Sequence, residues 1–259
     1  MWLILCSSSD PSGLWAYQGL RQLGLDQVEL VLADWLAHGS RWEHRVNHDA
    51  THLKITLPDG RVLCSSRIRG AINRLLAPAP GIAQLAADSD KEYAQAELQA
   101  FYLSWLYGLP GTVINRPSAV GLCGPWYHAS EWIYRASHAG LATPLYRQSA
   151  ADTEDRGFRS LAPEGAAKQN VIAFRGEVFA TQPCTRPGTQ SGTQLPQSTV
   201  RACTKLAEEA GIELLGLELF ASENGDWTFA GATPMPDLSI GGMPLLERLA
   251  LALNEGVCA

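Results

Sequence analysis

The sequence predicts an α/β protein, and three observations carry that reading. The chain opens with an apolar run, a capped helix and a second apolar run, a strand–helix–strand unit that suggests parallel pairing. Further along, short apolar segments flank Pro-Asp-Gly, Arg-Gly and Asn-Gly turns and read as antiparallel hairpins. Composition allows a sizeable core, since 46% of the 259 residues are apolar and 18% are charged.

Taken in order, Trp2 to Cys6 is a continuous apolar run and reads as a buried strand. Ser7 to Gly13 supplies turn and cap residues, and a helix follows to about Leu23, closed by Gly24. Val28 to Leu32 is the second strand. His52–Leu57 and Arg61–Cys64 make a hairpin around Pro58-Asp59-Gly60, and residues 67–76 re-enter the sheet. Ser89-Asp90-Lys91-Glu92 has the pattern of a capping box, opening a helix that runs to about Tyr107 and stops at Gly108-Leu109-Pro110. Thr112–Asn115 is a short strand ended by Arg116-Pro117, and a helix over roughly His128–His138 is closed by Gly140.

The stretches 148–170 and 182–197 are polar and without period, and are expected to be exposed, mobile loops. Between them, Asn170–Phe174 and Glu177–Ala180 form a hairpin. A helix runs from Pro196-Gln197-Ser198 to Ala210 with Gly211 as its stop. Glu213–Phe220 and Trp227–Ala230 pair around Asn224-Gly225, and a glycine- and proline-bearing loop leads to a last amphipathic helix over about Pro244–Asn254. The expected architecture is a parallel-rich sheet from 2–6, 28–32 and 112–115, with a separate antiparallel unit from 170–180 and 213–230.

Composition also excludes function classes. A net charge of −6 argues against a general nucleic-acid binder, although Arg67, Arg69 and Arg74 lie close together. The six cysteines form no C-x-x-C pair, which argues against zinc and for reduced, structural thiols. The first apolar run is too short and lacks the basic flank of a signal peptide, and no stretch approaches the roughly 20 apolar residues of a membrane span. The expected location is the cytoplasm.

The element order, with Val113-Ile114-Asn115-Arg116-Pro117 and Gly140-Leu141-Ala142-Thr143-Pro144, resembles the ATP-grasp superfamily, and within it the ligases that macrocyclise ribosomal peptides. The segment from Asp59-Gly60-Arg61 to Asn73-Arg74 is similar to that family's pre-grasp domain. Residues 210–219, 224–228 and 234–238 resemble its last block. The resemblance implies a pre-ATP-grasp-like domain over 1–110 and a truncated ATP-grasp-like domain with an antiparallel C-terminal sheet over 111–259.

Departures from that family are as informative as the matches. Where the family's last hairpin places a Glu and an Asn on Mg²⁺, this chain has Ala230 and Ala232, and a methyl cannot ligate a metal. Glu218 fills the acidic position on the preceding strand. After Pro144 only about 25 residues precede the hairpin at 170–180, with Lys168 as the sole lysine. The lysine expected at the start of the preceding helix is replaced near Ser130. The resemblance therefore implies a protein that has lost ATP- and Mg²⁺-dependent ligation and serves as a peptide- or partner-binding subunit. The alternative is an active carboxylate–amine ligase, or another enzyme using the remnant cleft, and only then would ATP and Mg²⁺ be cofactors.

No catalytic residue and no metal ligand is assigned. The candidate ligand-binding set is Arg74, Arg116, Glu218 and Asp237. The two arginines end predicted elements of an α/β sheet, where ligands favour crevices, and the resemblance implies contact with a peptide; the plainer reading is a solvated or ion-paired arginine. His128 and Glu131 share a helix face and could be half of a metal site, with His138 further along; exposed polar residues are the commoner explanation. Cys123, between glycines, could be a nucleophile if a base such as His128 lowered its pKa, or a packing residue. Tyr102 and Trp105 on the helix 89–107 could face a partner, either a second copy or an ATP-grasp paralogue.

Overall fold

The fold is taken from a computed structural model, which describes residues 1–48, 51–79, 86–146, 168–180, 195–221 and 227–255. These group into two compact units, Met1–Pro125 with Met243–Ala259, and Trp126–Gly242.

The first unit begins with strand β1 (Trp2–Cys6), helix α1 (Pro11–Gln22) and strand β2 (Val28–Leu32). Asp10 caps α1 by accepting from the Ser12 amide, Pro11 opens its first turn, and Gly24 follows it at φ +89°. β1 and β2 pair in parallel with Trp2 opposite Val28, as the opening pattern predicts. Strand β6 (Gly70–Asn73) lies on the other side of β1, and β7 (Thr112–Ile114) flanks it, giving a parallel sheet in the order β2-β1-β6-β7. Gly70 is required there, because a Cβ would sit 2.5 Å from the Thr112 carbonyl oxygen.

Two elements escape the sequence reading: helix α2 (Ala33–Ala37) and strand β3 (Arg41–Val46). β3 pairs with β4 (Thr51–Thr56), which pairs with β5 (Val62–Cys64), so the expected hairpin is part of a separate three-stranded antiparallel sheet. Helix α3 (Lys91–Tyr107) ends at Gly108 as expected, but its start differs. Asp88–Asp90 form a 3₁₀ turn and the Ser89 hydroxyl donates to the Asp90 carboxylate, so the capping box does not form.

Tyr102 and Trp105 do not face outward. Both are 1% exposed, and their rings pack edge-on to each other and against Trp42 in a core with Leu53, Ile55 and Leu63. The outward aromatics of α3 are Tyr93 and Tyr107. A helix apolar on several sides is satisfied here by β3, which the sequence reading lacked.

The second unit contains helix α4 (Ala129–Ala139), strands β8 (Lys168–Phe174) and β9 (Glu177–Ala180), helix α5 (Gln197–Ala210), and strands β10 (Leu214–Ala221) and β11 (Trp227–Thr233). The strands form one antiparallel sheet ordered β11-β10-β8-β9, as expected. Lys168–Asn170, read as the end of a loop, extend β8. Gly140 and Gly211 terminate α4 and α5 in the left-handed region, and Arg175-Gly176 turn the β8–β9 hairpin with φ of +46° and +80°. Leu215, Leu217, Leu219 and Phe229 face a core built with Trp132, Ala136, Cys203 and Leu206 of the two helices. The expected loops 148–167 and 182–194 and the Asn224-Gly225 turn lie outside the described residues.

The compact units do not divide at residue 110. β7 completes the first sheet, and the last helix, α6 (Gly242–Glu255), returns to the first unit: the Trp2 indole donates to the Leu253 carbonyl, and Leu246 packs where a Cβ on Gly19 would stand. Among the described residues, no helix is long and apolar enough to cross a membrane.

Candidate functional site

In the first unit the candidate residues gather at the carboxyl ends of β1, β6 and β7, beside the point where strand order reverses around β1. Arg74, just after β6, is only 3% exposed. Its Nε and Nη2 donate to the two carboxylate oxygens of Asp10 at 2.6 and 3.0 Å, and its amide donates to the Leu5 carbonyl. Asp10 in turn caps α1, so one buried carboxylate holds a helix end and a strand end together. The Arg74 Nη1 is buried without a partner. This is an internal ion pair, not a guanidinium waiting in a cleft.

The neighbouring polar groups are equally committed. Asn73 donates to the carbonyls of Asn115 and Leu122 and accepts from the Leu75 amide. Asn115 sits at φ +56°, a left-handed conformation that asparagine tolerates better than most residues. The Cys123 thiol donates to the Asn73 carbonyl, and burial pushes its pKa up to about 12. A thiol so held is not a nucleophile at neutral pH, so the packing reading of Cys123 stands. Arg116 donates to the carbonyls of Tyr107 and Gly111 at 2.9 and 3.0 Å, closing the end of α3.

In the second unit Glu218 lies on the sheet face opposite the core, since its neighbours Leu217 and Leu219 point inward. Lys168 pairs with it, Nζ to Oε1 at 2.5 Å, with side chains 48% and 37% exposed. A register shift after Glu218 sets Gly231 opposite it while Leu219 meets Phe229, leaving Ala230 as the extra residue of a β-bulge. Ala232 pairs with Leu217 and packs against the core, so its methyl points away from the Glu218 face. Asp237 is exposed and caps a 3₁₀ turn by accepting from the amide and hydroxyl of Ser239. The four candidates therefore fall two in each unit.

The half metal site is not assembled. The His128 ring caps α4 at Ser130, Glu131 pairs with Arg135, and His138 pairs with Glu209, whose carboxylate is held below its usual range chiefly by that histidine. Among the described residues, no three His, Cys, Asp or Glu side chains are grouped to hold a metal ion. Sequence reasoning missed the Asp10–Arg74 pair, which has no local signal, and the bulge, for which Gly231 within a strand pattern was a usable sign.

No protein-family model matches the sequence, and no curated protein is significantly similar to it. Solved structures are similar. The macrocyclase MdnC from Microcystis aeruginosa MRC, bound with precursor peptide MdnA, superposes with a TM-score of 0.72 over 98% of this chain and 100% of that one, at 12% identity. A RiPP-associated ATP-grasp ligase from Chryseobacterium gregarium, in complex with ADP and a leader and core peptide, gives 0.68 over 99% and 96%, at 11% identity. The ATP-grasp ligase PsnB, complexed with minimal precursor, gives 0.68 over 99% and 98%, at 13% identity. The chain has the ATP-grasp-like fold of these peptide ligases.

Proposed function

We propose that this protein is an ATP-grasp-like, peptide- or partner-binding accessory subunit in the maturation of a ribosomal peptide, without ATP- and Mg²⁺-dependent ligation of its own. The observation that carries the reading is the chemistry around Glu218. That carboxylate is engaged by the Lys168 ammonium, and the residue across from it on β11 is Gly231, next to the bulged Ala230. Mg²⁺ bound to nucleotide phosphates prefers an octahedron of hard oxygens, and one carboxylate shared with an ammonium is a poor start for it. Peptide recognition needs none of those ligands. Its support is the fold shared with ligases whose structures contain precursor peptides. The protein would act in the cytoplasm, as a homodimer or beside an intact ATP-grasp paralogue.

The test is to incubate the protein with Mg²⁺, ATP and candidate precursor peptides, following ADP release and loss of water from the peptide by mass spectrometry. Peptide binding without turnover is the expected result. ADP release coupled to dehydration of the peptide would establish the carboxylate–amine ligase instead.

A further inference from the structure

The β3-β4-β5 sheet of the first unit has two unlike faces. Trp42, Leu53, Ile55 and Leu63 point into the core. On the other face the register sets Arg41 opposite Thr56, Glu43 opposite Lys54, and Arg45 opposite His52, with Cys64 beside Lys54. Arg41 and Arg45 are 70% and 75% exposed, and both reach the one carboxylate among these paired positions, Glu43. Arg67, in the turn after β5, lies close enough with Lys54 to favour the Cys64 thiolate. Three full positive charges, Arg41, Arg45 and Lys54, thus share the outward paired positions with a single carboxylate, in a chain whose net charge is −6.

We propose that this outer sheet face is a docking surface for an extended, acidic peptide segment of a partner protein. Arg41 and Arg45 stand four residues apart on β3, about 13 Å, the spacing of same-side side chains i and i+4 in an extended peptide. β3 is also the edge of its sheet, so an incoming segment can pair with its backbone while its acidic side chains meet Arg41 and Arg45. Charge complementarity selects the occupant. Glu43, between the two arginines, opposes a continuous phosphate backbone, and none of the paired outward positions carries a Trp, Tyr or Phe on which a base could stack. A membrane surface would need apolar anchors beside the cations, and on this face the strands offer only Val62, since the exposed Val46 at the end of β3 falls on the register side of Trp42.

Cys64 makes the surface measurable. It is the one cysteine among the described residues that is not buried, and the Ser66 hydroxyl beside it, with Arg67 and Lys54, holds its pKa below the ordinary thiol value. The proposal concerns a different surface from the Glu218 face and stands even if the protein turns over ATP.

The experiment uses a fluorescein-labelled peptide of about ten residues with Glu at every fourth position and Thr between, so that its carboxylates match Arg41 and Arg45 and leave Glu43 unopposed. Its comparators are the Gln–Thr counterpart, an oligothymidylate of similar length and phosphatidylserine vesicles. The Glu peptide should bind best, more weakly as salt rises. The Arg41→Glu/Arg45→Glu variant should lose about tenfold or more in affinity, and bound peptide should slow iodoacetamide alkylation of Cys64 roughly threefold. Should that variant misfold by circular dichroism, Lys54→Glu and the protection of Cys64 in the unaltered protein decide the matter. Equal binding of the Gln peptide, unprotected Cys64, or a preference for the oligonucleotide or the vesicles would overturn the proposal.

Discussion

At the carboxyl edge of the first unit's parallel sheet, polar side chains are buried and spend their hydrogen bonds on one another. On the Glu218 face of the second unit, one carboxylate is half exposed, paired to a half-exposed lysine, and opposed by small residues. The first arrangement is architecture: Asp10, Arg74, Asn73 and Asn115 tie strand ends to a helix and a loop. The second is an open sheet face that carries a single ion pair among small residues. An arginine at the end of a sheet strand is therefore evidence for a ligand only when its donors are both spare and open to solvent, and an acid on a sheet face only when its neighbours can share the charge.

The largest expected effect separates the two regions outright. Arg74→Met strands the buried Asp10 carboxylate and should destabilise the protein by about 3–5 kcal/mol in urea denaturation. If Arg74 instead served a ligand, the loss would be small and peptide binding would fail first. Arg116→Ala removes bonds to the last carbonyl of α3, Tyr107, and to the Gly111 carbonyl in the loop after it, and should cost about 1 kcal/mol. Lys168→Ala breaks an exposed pair and should change stability by no more than about 0.5 kcal/mol. A larger loss there would mean that the Glu218 face is more constrained than its exposure indicates.

A pH effect is expected from the first unit. Burial holds the His44 pKa below its ordinary 6.5, with Nε2 hydrogen-bonded to the Ser104 hydroxyl. Over that window the unfolded chain takes up a proton that the folded chain refuses, so stability falls as pH drops below about 6.5. Urea midpoints at about pH 7.5 and pH 5 should show a slope that His44→Gln flattens.

Much of this fold was legible in the sequence because periodicity and punctuation are local. The apolar run Trp2–Cys6, the stops at Gly24, Gly140 and Gly211, and the Arg175-Gly176 turn each declare themselves within a few residues. What escaped depends on distant partners. Arg41–Val46 alternates charged and less polar residues, a strand pattern, but without it the basic face could not be assembled and Tyr102 and Trp105 looked unpartnered. Asp10 read as a cap, and is one, while its pairing with Arg74 across 64 positions leaves no sequence trace. On the second unit the alanines at 230 and 232 were read from the resemblance alone, and the lysine facing Glu218 and the bulge opposite it emerged only from strand register.

The central claim, that the Glu218 face does not hold nucleotide and metal, is tested most directly by titrating ATP into the protein by calorimetry with and without Mg²⁺. The account predicts weak heats that Mg²⁺ does not strengthen, alongside measurable binding of a precursor peptide under the same conditions. Micromolar ATP affinity that depends on Mg²⁺ and disappears in Glu218→Gln would contradict it.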